Sequence, residues 1–210
     1  MKKNLIFLLS IVMLIVISCN STRLTSSWSL PNATTQKYNK VLVIGMTGAK
    51  DQEIRENIEN SMAKKLKENN ISAVTARSKY GPLTFQKMTD EEAMKMVKDD
   101  GFDGVMILAL LDKNKEKNYT PGRVTSTPYA VVRRHWLPNY RVLYDRVYTP
   151  GYYTTLTNYE LEANFYDMNR NELQYSAQAQ SFDPGSASTL AGDFSKTVID
   201  DMVKKGLVSK

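Results

Sequence analysis

Apolar runs and four-residue periodicities alternate in the first half of the chain. Residues 40–47 are mostly apolar and rich in β-branched side chains, which is typical of a strand covered on both faces. Apolar side chains then recur every fourth position from Ile54 to Leu66, which predicts an amphipathic helix over about 50–68. Residues 71–76 follow as a short predicted strand. The first seventy-six residues therefore contain a predicted strand–helix–strand unit.

The next predicted helix begins at a capping box. Thr89 and Glu92 have the spacing at which each side chain bonds the backbone N–H of the other, and a predicted loop over 77–88 precedes them. Gly101 ends this helix, and the apolar residues 103–111 form a third predicted strand. Because strands joined through helices are usually parallel, with right-handed crossovers, the pattern predicts a βαβαβ unit.

Two alternating segments and a last helix follow in the second half. Residues 155–168 and 173–180 alternate apolar with polar side chains, which predicts an antiparallel hairpin with one face in water. Ser186 or Ser188 can cap a final helix, whose apolar residues again recur every fourth position. The pattern predicts one α/β (α+β) domain over 38–210. It has a mixed sheet with a βαβαβ first half, a β-hairpin and a C-terminal helix, and its helices pack on one main face.

The segment 112–153 is an insert in this domain and fits neither period. A polar turn over 112–118 opens it, and its prolines exclude a long strand in a sheet interior. Tyr and Arg dominate the rest, and both are enriched at protein interfaces, so the insert is a candidate binding surface. Its candidate contact residues are Tyr129, Arg133, Arg134, Trp136, Tyr140, Arg141, Tyr144, Tyr148 and Tyr152. The alternative is an extended hairpin that covers a sheet face and uses Tyr as an amphipathic filler.

The amino terminus has the organisation of a secretory signal. Two lysines precede the apolar run 5–17, which is too short to span a bilayer comfortably. The run ends in Val-Ile-Ser-Cys, which resembles a bacterial lipobox, and Cys19 is the only cysteine of the chain. The resemblance implies that 1–18 is a signal peptide and that Cys19 becomes lipidated. The alternatives are an ordinary signal peptide or an uncleaved anchor. Because Asn20 and not Asp follows the cysteine, similarity to lipoprotein sorting signals favours the periplasmic face of the outer membrane.

Residues 19–37 are polar and rich in Ser and Thr, which predicts a flexible lipidated tether. Trp28 and Leu30 are expected to dock on the domain; contact of Trp28 with lipid headgroups is the less favoured alternative. Without residues 1–18 the chain carries 26 basic and 22 acidic residues, a formal charge of +4. So mild an excess in a secreted lipoprotein does not predict nucleic acid as a partner.

No catalytic constellation emerges from the sequence. The turn at 45–48 after the first strand could bind a phosphate at a helix N-terminus, but a plain turn between strand and helix is favoured. Glu160 and Glu162 could act as paired carboxylates, although an exposed strand face is normally charged. His135 is the only histidine and has no cysteine near it in the sequence. We expect no cofactor, no metal site and no catalytic residue.

The apolar and periodic segments carry a resemblance to known lipoproteins. Residues 40–47, 101–111, 162–167 and 193–207 together resemble an uncharacterised group of bacterial lipoproteins with a domain of unknown function. The order of elements is also similar to small α/β domains of three envelope factors. These are the curli-secretion channel lipoprotein, the lipoprotein activators of penicillin-binding proteins and the amino-terminal domain of TolB. The resemblance implies a non-enzymatic lipoprotein that binds or scaffolds an envelope protein complex. Recognition of a glycan or peptidoglycan is the alternative, and a hydrolase is less favoured.

Overall fold

Six strands form one mixed sheet in the computed structural model, which describes residues 21–31, 37–82, 84–132 and 141–208. The described residues form eight strands in all, of which β5 and β6 lie outside this sheet. They are β1 Thr22–Ser29, β2 Val41–Met46, β3 Ala73–Thr75, β4 Gly104–Thr120, β5 Arg123–Val132, β6 Arg141–Thr149, β7 Tyr152–Asp167 and β8 Glu172–Phe182. The helices are α1 Gln52–Glu68, α2 Ala76–Tyr80, α3 Asp90–Asp99 and α4 Ala187–Lys204, with a 3-10 turn at Thr84–Lys87.

The chain divides into two compact units. The first, called the body, comprises the described residues up to Lys113 and those from Asn158 onwards. The second, called the ribbon unit, comprises 114–157 and contains the small two-stranded sheet of β5 and β6. The predicted insert 112–153 therefore overlaps almost entirely with the ribbon unit.

The sheet of the body has the strand order β1-β8-β7-β4-β2-β3. β2 is parallel to both neighbours, with Val41 opposite Ala73 in β3 and Gly104 in β4. β8 is antiparallel to β7 and to β1. The predicted α/β class, the parallel βαβαβ unit and the hairpin are confirmed.

The two faces of β2 bury two different groups of side chains. Val41 and Val43 belong to the larger core cluster, which α1, α4, β7 and β8 complete. Leu42 and Ile44 belong to a smaller cluster with residues of α2 and α3, among them Val97. The two long helices share the main face, as predicted, whereas the predicted helix α3 packs with α2 on the opposite face of β2, which corrects its predicted placement. Burial on both faces explains why β2 has no polar position before its end.

Residues 22–29 form the strand β1 and are not part of a flexible tether, which corrects the prediction for this stretch. Thr22 lies opposite Ser181 of β8, and its hydroxyl donates to Ser181 Oγ over 2.9 Å. At the other end, the N–H of Leu30 donates to the carbonyl of Gln174. The segment pairs with the backbone of β8 as an edge strand. The Ser and Thr side chains of β1 suit a sheet with one wet face. Composition alone does not reveal such pairing.

Two further boundaries differ from the sequence prediction. β4 continues to Thr120, so the predicted polar turn at 112–118 is strand. Its residues 111–120 are all exposed, and a strand without a buried face shows no apolar alternation. The predicted loop 77–88 contains α2 and the 3-10 turn, because Thr75 caps α2 by accepting from the N–H of Ser78.

The predicted helix ends are confirmed where side chains define them. The N–H of Glu92 donates to Thr89 Oγ1, and the N–H of Thr89 donates to the carboxylate of Glu92. Of the two candidate caps for α4, Ser186 accepts from the N–H of Thr189 over 3.0 Å. Gly101 has a φ of 75° beyond α3, a conformation that glycine adopts without strain.

Candidate functional site

The candidate binding surface lies on the ribbon unit, in which β5 and β6 form an antiparallel pair. The register places Arg123 opposite Thr149 and Val132 opposite Arg141, with an irregularity between Pro128 and Ala130. In a two-stranded sheet each strand has an open edge, so a proline and a bulge are tolerated here. The prolines of the insert thus fit a ribbon outside the main sheet.

Two glycines allow the chain to pass close to itself at the base of this ribbon. A Cβ on Gly122 would lie 2.7 Å from the carbonyl oxygen of Thr149, and one on Gly151 would overlap the hydroxyl of Tyr119. The ring of Tyr119 lies 4.9 Å from that of Tyr153, with 42° between their planes. The absence of a side chain at Gly151 therefore leaves the space that the Tyr119 side chain occupies beside Tyr153.

Large side chains of the ribbon unit are exposed to solvent. Tyr148 is 68% exposed and Tyr153 is 73% exposed, and Tyr119 and Tyr152 are also more than half exposed. Val124 lies opposite Tyr148 in the register and is 63% exposed. Most apolar residues of such size are buried in monomeric proteins, so a group of exposed ones is typical of a binding surface.

The positive charge of the chain is concentrated in the same unit. Residues 114–157 contain seven Lys or Arg and two Asp or Glu, a formal charge of +5. The remainder after residue 18 contains 19 basic and 20 acidic residues, a formal charge of −1. Lys115, Lys117 and Arg123 are exposed. Exposed tyrosines and a local positive field therefore occur together on one short stretch of chain.

The residues predicted from the sequence fall into three groups: exposed side chains, residues of which the backbone is described, and residues outside the described ranges. Tyr148 and Tyr152 are exposed, as a contact surface requires. The backbone of Tyr129 lies in β5, and the backbones of Arg141 and Tyr144 lie in β6. The remaining predicted residues lie outside the described part of the chain: Cys19, Arg133, Arg134, His135, Trp136 and Tyr140.

Neither Tyr119 nor Tyr153 is among the contact residues predicted from the sequence. A signal for the pair was present, because Thr-Pro-Gly occurs at 120–122 and again at 149–151. Pro-Gly marks turns, so two copies that flank one segment indicate a turn at each end of that segment. Tyr119 directly precedes the first copy and Tyr153 lies two residues after the second, and their rings meet in the structure.

The turn after β2 is organised around a buried carboxylate and does not offer a phosphate site. The N–H of Gly45 donates to Glu59, whose side chain is 1% exposed. Asp51, directly before α1, pairs with Lys113 at 2.7 Å, and this hydrogen bond raises the pKa of Lys113. The N–H of Gly45 is therefore already bonded to a carboxylate of the chain itself, which supports the plain turn between strand and helix.

Glu160 and Glu162 lie on the wet face of the hairpin. Gln180 donates to Glu160 over 2.9 Å, and Gln178 donates to Glu162 over 2.9 Å, in both cases directly across the strand pair. Asn164 also donates to Glu162. These amide partners hold the two carboxylates in a polar network along the sheet surface.

Neither a membrane-spanning helix nor a metal-binding cluster is present among the described residues. No helix in the described ranges combines the length and the apolar character that are needed to cross a bilayer. Over the same ranges, no three His, Cys, Asp or Glu side chains are grouped closely enough to hold a metal ion.

Comparison with known proteins gives low similarity. Neither a protein-family model nor a curated protein sequence matches the chain. The PelC dodecamer from Paraburkholderia phytofirmans is 11% identical, with a TM-score of 0.46 and coverage of 84% of this chain and 93% of that chain. Lipoprotein GNA1162 from Neisseria meningitidis is 14% identical, with a TM-score of 0.43 and coverage of 79% and 99%, respectively. Likenesses this weak do not indicate a function for this chain.

Proposed function

We propose that this protein is a non-enzymatic, lipid-anchored binding protein that scaffolds an envelope protein complex through its ribbon unit. The observation that carries the proposal is the group of exposed tyrosines beside Val124 on a stretch that forms a compact unit of its own. Tyrosine combines a large apolar face with a polar hydroxyl group, so it tolerates water before binding and buries a large area afterwards.

The charge of the ribbon unit indicates the chemistry of the partner. Seven basic residues against two acidic ones favour a partner surface that carries carboxylates. Charges at the rim of an interface chiefly raise the association rate, and salt screens them, whereas the tyrosines supply the buried contact area. Binding should therefore weaken as the salt concentration rises, and it should be lost when the tyrosines are removed.

The proposed anchor is Cys19, which carries acyl chains such as palmitate after cleavage of 1–18. Each buried CH₂ group contributes about 0.8 kcal/mol, so two or three chains hold a protein on a bilayer almost permanently. The proposed location is the periplasmic face of the outer membrane. Mass spectrometry of the protein isolated from its native envelope tests this part, because an unmodified thiol at position 19 contradicts it.

Site-specific photocrosslinking in the native envelope tests the binding surface. A photoreactive phenylalanine analogue replaces Tyr148 in one variant and Trp28 of β1 in the control, since Trp28 is an exposed aromatic residue of the body. We expect one defined set of crosslinked proteins from position 148 that is absent from position 28. Equal crosslinking from both positions, or none from position 148, contradicts the proposed surface.

Recognition of peptidoglycan is the second candidate function, because exposed tyrosine rings also stack on sugars. The tilted pair of Tyr119 and Tyr153 is the observation that favours it. Sedimentation with purified sacculi at low salt separates the two candidates. Co-sedimentation that is abolished by Tyr119→Ala supports glycan binding. If the protein does not co-sediment with sacculi, glycan binding is rejected and binding of a protein partner remains.

A further inference from the structure

The first described residue after Cys19 is fixed to the body. The N–H and the hydroxyl of Ser21 donate to Asp193 Oδ2 of α4 over 3.2 and 2.9 Å. The carbonyl of Ser21 accepts from the N–H of Phe182 over 3.0 Å. Ser21 therefore belongs to the sheet and to the start of α4, which leaves only Asn20 between Cys19 and the folded body.

Covalent geometry limits how far the body can lie from the proposed lipid anchor. Two peptide units separate Cys19 from Ser21, so their Cα atoms lie at most about 7.6 Å apart. A flexible tether of 18 residues would instead allow roughly 20–25 Å. Lipid chains on Cys19 enter the bilayer beside it, so the Ser21 end of β1 is held at the level of the lipid headgroups.

The side chains at this end of the sheet have the chemistry of a membrane interface. Phe182 is 43% exposed, although it is a large apolar residue. The guanidinium carbon of Arg23 lies 4.8 Å from the centre of the Phe182 ring, and Arg23 is also exposed. Phenylalanine side chains bury at the boundary between headgroups and acyl chains, and arginine binds phosphate through paired hydrogen bonds. The carboxylate of Asp193, the acid bonded to Ser21, already accepts two hydrogen bonds.

We infer that the corner of the sheet formed by Ser21, Arg23 and Phe182, where β1 begins and β8 ends, lies directly on the lipid surface. Phe182 enters the headgroup layer and Arg23 contacts lipid phosphates. The body is then oriented by its anchor and does not move freely on a tether. This inference rests on the proposed lipid at Cys19, and it concerns residues of the body only.

Fluorescence quenching on the lipidated full-length protein tests the contact. In the lipidated protein the Cys19 thiol is blocked, so Phe182→Cys supplies a single reactive thiol for an environment-sensitive dye. The control is Asn169→Cys, in the turn before β8 and about 35 Å along the strand direction from position 182. Both proteins are placed in vesicles of phosphatidylethanolamine and phosphatidylglycerol that contain a phospholipid with a spin label near its headgroup.

We expect quenching at position 182 to exceed that at position 169 several-fold. A flexible Gly-Ser linker of about ten residues inserted after Asn20 should remove this difference, because it restores a tether. Equal quenching at both positions, or none at position 182, overturns the inference. Mass spectrometry of the same samples distinguishes the two proposals: a free Cys19 thiol refutes the anchor, whereas a lipidated protein without quenching refutes only the contact.

Discussion

The hydroxyl of Tyr80 donates a hydrogen bond of 2.6 Å to Oδ2 of Asp100, which joins the end of α2 to the residue that follows α3. This bond is the main reason that the pKa of Asp100 lies below its ordinary value of 3.8. Burial opposes the shift, and Lys79 and Lys40 add to it. The ring of Tyr80 also packs edge-on against Phe85. One tyrosine thus connects the elements that cover the smaller core cluster.

Tyr80→Phe is expected to reduce the free energy of unfolding at neutral pH while keeping the ring packing. Because the pKa of Asp100 is lower in the folded state, its contribution to stability is present above pH 3.8 and is lost as the pH falls through the lowered value. The difference between the wild type and Tyr80→Phe should therefore shrink in acid. Urea unfolding at pH 7 and at a pH well below 3.8 measures it. Tyr119→Phe, on the exposed ribbon, is the control and should show no such dependence on pH.

Glu59 is expected to be a stabilising residue of the body. Its Oε1 accepts from the N–H of Gly45 over 2.8 Å and pairs with Arg55 at 3.3 Å. Glu59→Ala removes both contacts and leaves a buried N–H without an acceptor, which should cost about 2–4 kcal/mol in the free energy of unfolding. Glu59→Gln keeps an acceptor oxygen and should cost clearly less. Urea unfolding measures both variants, and equal losses would show that the contact with Gly45 is unimportant.

Gly151→Ala is expected to disturb the ribbon unit and to leave the body stable. A Cβ at this position would lie 2.9 Å from Cζ of Tyr119, and its overlap with the hydroxyl would displace the ring. Hydrogen exchange should increase in the ribbon strands while the exchange of α1 and α4 stays unchanged. The photocrosslinking yield from position 148 should fall in the same variant. Faster exchange throughout the body would contradict a local role for this glycine.

Gly192→Ala is expected to stabilise the body. Gly192 lies within α4, and a Cβ there would meet no atom within 4 Å. Glycine inside a helix costs roughly 0.5–1 kcal/mol relative to alanine, so the substitution should raise the free energy of unfolding by a similar amount. Thermal and urea unfolding check the sign. A decrease would show that the position needs glycine for a reason other than helix propensity.

Local patterns were sufficient for the elements that bury an apolar face. β2 is a continuous apolar run, and apolar residues recur at a regular spacing in α1 and α4. Burial of those residues drives the formation of each element. The capping box of Thr89 and Glu92 was predictable because both partners lie within one helical turn. Each of these signals is contained in neighbouring residues, so no knowledge of the tertiary contacts was required.

The missed strands bury little apolar surface of their own. The polar residues 22–29 become the edge strand β1 because the backbone of β8 is available to them, and residues 111–120 of β4 are exposed throughout. Hydrogen bonding of a backbone to a distant strand leaves no trace in side-chain periodicity. The candidate site was predicted as a region, whereas the Tyr119–Tyr153 pair required the chain crossing at Gly122 and Gly151.

The sequence by itself determined the α/β class, the long helices, the central strand and the tyrosine- and arginine-rich nature of the insert. Only the tertiary structure decided that Ser21 is held by Asp193 and Phe182, and that the stretch after it is a strand and not a tether. The physical reason is the range of the interactions. Apolar periodicity acts between residues a few positions apart, whereas the pairing of β1 with β8 joins residues about 150 positions apart in the chain.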